Sequence, residues 1–153
     1  MSPQNSLPDL TTLDWRDALT ESFSTLIGPM AFAYDPSADN GRWYARLTVD
    51  DQHLNLGGVC HGGVLLTLAD NAMGCAAYMA GGRIPCATIE LSSQFIAGVH
   101  KGESVIAEAI MTRRTPEIAF LTATLWATQR KSGPDRIAMK ASGIWKYLSK
   151  YKS

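Results

Sequence analysis

Residues 64–80 read Val64-Leu-Leu-Thr-Leu-Ala-Asp70-Asn-Ala-Met-Gly-Cys-Ala-Ala-Tyr-Met-Ala80, seventeen positions carrying a single charge. Thr67, Asp70 with Asn71, Gly74 and Tyr78 recur at steps of three and four, the period of an α-helix. The rest of the circumference is apolar. Such a helix belongs at the centre of a fold, wrapped by other elements. A membrane span is the competing reading, but the segment is short, lacks flanking Lys or Arg, and holds Asp70 near its middle.

The chain on either side is β-prone. Upstream, residues 30–35 and 42–49 are strand-like, the second alternating through Trp43, Ala45, Leu47 and Val49. The turn-rich stretch from Asp35-Pro36 to Asn40-Gly41 makes them a hairpin. Past Gly81-Gly82 come four long β-prone runs, 87–96, 103–114, 117–129 and 135–147, punctuated by Gly98, Gly102, Pro116 and the turn from Lys131 to Asp135. Thr122, Thr124, Trp126 and Thr128 alternate with Leu121, Ala123, Leu125 and Ala127, so the sheet has two differently treated faces. Short turns predict a mainly antiparallel sheet whose last three strands form a meander. The expected architecture is α+β, one long central helix wrapped by a curved sheet of five to six strands. A short N-terminal helix is predicted from Trp15 to Leu26, opened by Asp14 and stopped by Gly28-Pro29. Residues 1–12 read as a flexible tail, which leaves 13–150 as a single domain.

Length and composition bound the function. The chain has 153 residues, 46% of them hydrophobic and 18% charged, enough for one well-filled core. Lys and Arg total 14 against 14 Asp and Glu, so there is no global field to collect nucleic acid or an anionic membrane. The three cysteines, Cys60, Cys75 and Cys86, show neither a CxxC nor a paired histidine spacing, which makes zinc and a disulfide framework poor readings. Cys60 and Cys75 read as small hydrophobes, and His53 and His100 as loop residues. No basic region followed by an apolar run opens the chain, so a cytoplasmic location is expected.

Two features near the central helix could carry chemistry. Asp70 places a carboxylate on an otherwise apolar helix, costly unless hydrogen-bonded, paired or facing a polar cavity. It is either a general base or a cap for a neighbouring loop. His61-Gly62-Gly63 opens the helix, where unpaired N–H groups and a partial positive charge can polarise a carbonyl. The glycines equally suit a tight turn. If both features serve one site, a geometric difficulty arises. Gly62 and Asp70 are eight residues apart, roughly 12 Å at 1.5 Å per residue, too far to meet on one carbonyl. Two antiparallel copies of the helix about a two-fold axis would bring Gly62 of one beside Asp70 of the other, so a shared site predicts a homodimer.

Asn55-x-x-Gly58-x-x-His61-Gly62-Gly63 followed by Leu68-Ala69-Asp70-x-Ala72-x-Gly74 resembles the signature of hotdog-fold acyl-CoA thioesterases, closest to the phenylacetate-degradation (PaaI-type) branch. The likeness extends to Thr88-Ile-Glu-Leu-Ser-Ser-Gln-Phe95 and covers about residues 40–147. It implies hydrolysis of acyl-coenzyme A, with Asp70 as general base or nucleophile and the Gly62 N–H of a partner subunit polarising the carbonyl. It further implies Asn55 near that oxygen, His61 organising the loop, and Thr88 positioning water in place of a hydroxyl that other relatives carry at the position of Gly74. No metal or cofactor is implied, coenzyme A being part of the substrate. A homodimer, and a dimer of dimers beyond it, is expected. The adjacent Arg113-Arg114 is the leading candidate for the coenzyme A phosphates, ahead of Lys101, Arg130-Lys131 and Lys140. Gly63 joins the substrate-binding set, and Leu66, Met73 and Phe95 are candidates to line the acyl pocket. A non-catalytic acyl-CoA-binding protein is the alternative. A hydroxyacyl-thioester dehydratase ranks lower, because no histidine lies between Gly62 and Thr88.

Overall fold

Gly62–Ala80 form one helix, here α2, in a computed structural model that describes residues 7–18, 22–38, 41–128 and 135–148. Before it come β1 (Arg16–Asp17), α1 (Phe23–Ile27), β2 (Met30–Asp35), β3 (Arg42–Thr48) and a 3₁₀ turn at Asp51–His53. After it come β4 (Cys86–Phe95), β5 (Ser104–Arg114), β6 (Ile118–Thr128) and β7 (Arg136–Tyr147). The seven strands make one antiparallel sheet in the order β1-β2-β3-β5-β6-β7-β4. The meander β5-β6-β7 is present, and β4 closes the sheet beyond it.

The apolar circumference of α2 finds its partner in the concave side of the sheet. Leu68, Ala69, Met73, Ala76 and Ala77 are fully buried against Leu47, Val105, Ala107, Leu121, Leu125 and Met139. The alanines let the helix axis lie close to the strands, while each buried leucine or methionine contributes about 1.5–3 kcal/mol. At the helix C-terminus the Tyr147 hydroxyl donates to Ala77 O at 2.8 Å, tying α2 to the end of β7.

The N-terminal prediction needs correction. Arg16 and Asp17 pair with Phe32 and Ala31 as the two-residue strand β1, which raises the sheet to seven strands, and the helix shrinks to Phe23–Ile27. Tertiary contacts override the local periodicity here. The Trp15 ring packs under the Arg46 guanidinium at 4.2 Å and its Nε1 donates to Leu10 O, so it is spent on the outer face of the sheet. Leu7–Thr11 share a surface hollow with Trp15, Arg46 and Ile106. Residues 1–6, 19–21, 39–40, 129–134 and 149–153 lie outside the described residues, and with them the first half of the expected tail, Asn40, and Arg130-Lys131. Among the described residues, no helix is long and apolar enough to cross a membrane.

An irregularity in β4 decides which of its side chains reach the helix. The register against β7 shifts between Thr88 and Glu90, leaving Ile89 as an extra, half-exposed residue. A bulge reverses the alternation of side chains beyond it. Leu91 faces the helix on one side of the bulge, and Cys86 and Thr88 do so on the other.

Candidate active site

Thr88, aimed at α2 by that bulge, donates its hydroxyl to Asp70 Oδ1 at 2.7 Å. The other carboxylate oxygen of Asp70 has no hydrogen-bond partner among the described residues. The carboxylate is half-buried and opens on a cavity of about 470 Å³ lined also by Asn71, Gly74, Cys75, Tyr78, Pro85, Cys86 and Trp145. Asp70 therefore does not cap a loop's amides. It is oriented by one hydroxyl and has one oxygen free toward open space, which is the arrangement a general base requires. Asn71 donates to Ser24 Oγ at 2.9 Å and holds α1 beside the same cavity.

The helix start is built separately. His61 is the N-cap of α2, and its Nδ1 accepts the Gly63 N–H at 2.8 Å. That assigns Nδ1 as the unprotonated nitrogen and makes His61 an organiser of the first turn. The Gly63 N–H is consumed by this cap, whereas the Gly62 N–H has no partner among the described residues. The Phe95 ring lies over Gly62 so closely that a Cβ there would sit 3.0 Å from Cε1. Asn55 Oδ1 accepts from Gly57 N and Val59 N, at 2.8 and 3.3 Å, and so shapes the loop leading to the helix. Gly58 takes the left-handed conformation (φ 78°) in that loop. Further support comes from Cys60 N–H donating to Val99 O and His61 N–H to His53 O, at 2.8 and 2.7 Å.

His53 is a residue whose weight the sequence did not reveal. Expected in a loop, it is buried, accepts the Asp50 N–H on Nδ1 and bonds Ile27 O through Nε2. It staples the end of α1 to the segment that enters α2. A lone histidine in a polar stretch gave no signal for this.

The substrate-binding candidates fall in three places. Phe95 stands at Gly62, at the N-terminal end of α2. Met73 is fully buried in the core, Leu66 packs partly buried against that core, and neither is among the residues that line the Asp70 cavity. Arg113 and Arg114 line a different hollow of about 580 Å³ with Tyr34, Trp43, Met79 and Ala80, at the C-terminal end of α2. Lys101 is engaged by Asp51 at 2.6 Å, and Lys140 is an exposed residue of β7. Cys75 and Cys86 line the Asp70 cavity, and neither is a nucleophile in waiting. Burial raises both thiols, and the Asp70 charge adds to the rise at Cys86. Burial pushes Cys60 up to about 11. All three stay protonated near neutral pH.

A helix laid in the concavity of an antiparallel sheet, with a hydroxyl-oriented carboxylate at mid-helix, defines the hotdog thioesterase architecture. The chain belongs to the thioesterase superfamily, whose family model matches residues 57–133. A candidate esterase of Archaeoglobus fulgidus is 30% identical over 100 residues, which are 65% of this chain and 61% of that relative's length. Among solved structures, the phenylacetic acid degradation protein PaaI of Thermus thermophilus, in a variant form, superposes with a TM-score of 0.66 at 21% identity, covering 82% of this chain and 98% of that one. A hypothetical thioesterase protein of Streptococcus pneumoniae, solved with coenzyme A, gives a TM-score of 0.64 at 16% identity over 76% of this chain and 85% of its own. At these identities the two structures speak for the fold.

Proposed function

We propose that this protein hydrolyses acyl-coenzyme A thioesters to the free acid and coenzyme A. The observation that carries the reading is the Thr88–Asp70 hydrogen bond at the mouth of an open cavity, which leaves one carboxylate oxygen to take a proton from water. Coenzyme A in the Streptococcus relative and the PaaI-like shape support the substrate class and the PaaI-type branch. Asp70 acts as general base, and the unpartnered Gly62 N–H receives the developing oxyanion. Asn55 and His61 hold the loop and first turn that aim this N–H.

Because Gly62 and Asp70 lie roughly 12 Å apart along one helix, the working site takes Gly62 from a second copy. The β4 edge of the sheet supports this. It is a ten-residue strand whose outer flank has no partner among the described residues, with Ile89, Phe95 and Ile96 all more than half exposed. Long apolar edge strands invite pairing. Edge-to-edge β4 pairing makes a dimer with two shared sites, and dimers of dimers follow on other faces. Arg113 and Arg114 serve the phosphates of coenzyme A.

The test is thiol release over a panel of aryl- and alkyl-acyl-CoAs of graded length, run beside a calorimetric binding titration. Hydrolysis of at least part of the panel, abolished in Asp70→Asn with binding retained, is expected. Binding without turnover in the wild type would make the protein a ligand-binding module instead.

A further inference from the structure

The Asp70 cavity is also lined by Tyr78 and Trp145, whose polar groups general-base catalysis by Asp70 alone leaves unused, and Trp145 is the more deeply buried of the two. Trp145 is only 2% exposed yet lines this cavity. Its Nε1 is the part of the ring nearest Gly74, where an added Cβ would approach it to 3.3 Å. The indole N–H has no hydrogen-bond partner among the described residues. Polar tips nearby are treated differently: the Tyr147 hydroxyl donates to Ala77 O, and the Thr88 hydroxyl to Asp70. A donor left unmatched at a cavity wall is costly once a ligand excludes solvent, unless an acceptor stays with it.

Position narrows what that acceptor is. Trp145 pairs directly with Thr88 across the β4–β7 ladder, so donor and base-orienting hydroxyl share one rung. Gly74 follows Asp70 by four residues on the same face of α2, a separation of about 6 Å along the axis. One water that accepts from the indole and donates to the carboxylate, each bond about 2.8 Å, needs both groups on one space, and both line this cavity. Gly74 has no side chain to fill it.

We infer that the Trp145 indole N–H holds the attacking water, which it shares with the free oxygen of Asp70. The inference rests on the thioesterase reading of the site. The water accepts from the indole, gives one proton to Asp70, and directs its remaining lone pair at the thioester carbon. As the new C–O bond forms, the carbonyl electron pair moves onto its oxygen at Gly62. Collapse of that intermediate breaks the C–S bond, and the departing coenzyme A sulfur takes the proton from Asp70.

The cleanest test replaces Trp145 with 3-benzothienylalanine, which keeps the bicyclic shape and puts sulfur where the N–H was. Trp145→Phe and the double variant Trp145→Phe with Gly74→Ser accompany it. The inference predicts kcat about tenfold lower for every acyl-CoA the wild type hydrolyses, with KM and melting temperature unmoved in the benzothienyl protein. The double variant, whose serine hydroxyl enters the vacated space, should exceed Trp145→Phe in kcat. Three results overturn it: kcat within twofold of wild type, a rise in KM alone, or a loss confined to oxygen-bearing acyl groups, which would make the N–H a substrate reader. Wild-type protein inert toward the whole panel overturns the hydrolase reading and this inference together. An active wild type with an unmoved benzothienyl variant overturns the inference alone.

Discussion

In the proposed hydrolysis, Asp70 and Thr88 are the residues on which the chemistry turns. Asp70→Asn keeps the shape and the Thr88 contact but removes the basic oxygen, so kcat should fall by about 10²–10⁴ while acyl-CoA affinity holds. Thr88→Val frees the carboxylate from its orienting bond, and a loss of about tenfold in kcat with little change in KM is expected from steady-state kinetics. Gly62→Ala is a third case, because its Cβ would press on the Phe95 ring at 3.0 Å and displace either the ring or the N–H. Asp70 was legible in the sequence as a charge on an apolar helix, and Gly62 as a bare residue at a helix start. Trp145 and Cys86 as cavity walls were not. They meet Asp70 because of a one-residue bulge at Ile89 and a strand more than 50 positions downstream, and neither leaves a local pattern. Met73, a candidate for the acyl pocket, is fully buried in the core of this chain.

At the scale of elements, the loop that delivers Gly62 is braced from β7. Arg136, at the start of that strand, donates to both oxygens of Glu103 at 2.7–2.8 Å and to Gly98 O at 2.7 Å. Glu103 in turn accepts the His100 N–H at 2.7 Å. This fixes residues 98–103, whose Val99 carbonyl receives the Cys60 N–H just before α2. The Arg136 hydrogen bonds hold the Glu103 carboxyl below its ordinary value of 4.5. A carboxylate lowered in this way stabilises the fold fully above about pH 4.5, and the contribution drains as pH falls through the lowered value. Glu103→Gln should therefore cost about 1–3 kcal/mol near neutral pH, with the difference in melting temperature shrinking toward pH 3 in a thermal-denaturation series. The long strands and α2 were readable from period alone because most of each strand alternates and α2 keeps a single polar stripe, whereas the bulge at Ile89 was not. The N-terminal helix was not, because Trp15 answers to Arg46 on the sheet rather than to its own neighbours.

At the scale of the molecule, zero net charge and a nearly uncharged central helix gain a specific meaning. The exposed apolar residues include Ile89, Phe95 and Ile96 on or just past the β4 edge, with Phe23 and Leu26 on α1, which Asn71 holds beside the Asp70 cavity. On the proposed reading, a chain that would keep these groups in water on its own is half of a catalytic unit. Ile89→Lys, which puts a charge on the edge without touching the core, should shift sedimentation equilibrium toward monomer and lower activity in proportion.

Complementation tests shared catalysis most directly. Asp70→Asn and Gly62→Val are prepared separately, unfolded together in equal amounts, refolded, and assayed for thiol release from the best acyl-CoA substrate. Each alone should be nearly inactive. In a mixed dimer one site combines the intact Gly62 of one copy with the intact Asp70 of the other, and random pairing predicts about a quarter of wild-type activity. A mixture no more active than its two components would place the whole reaction within a single chain and contradict the shared site.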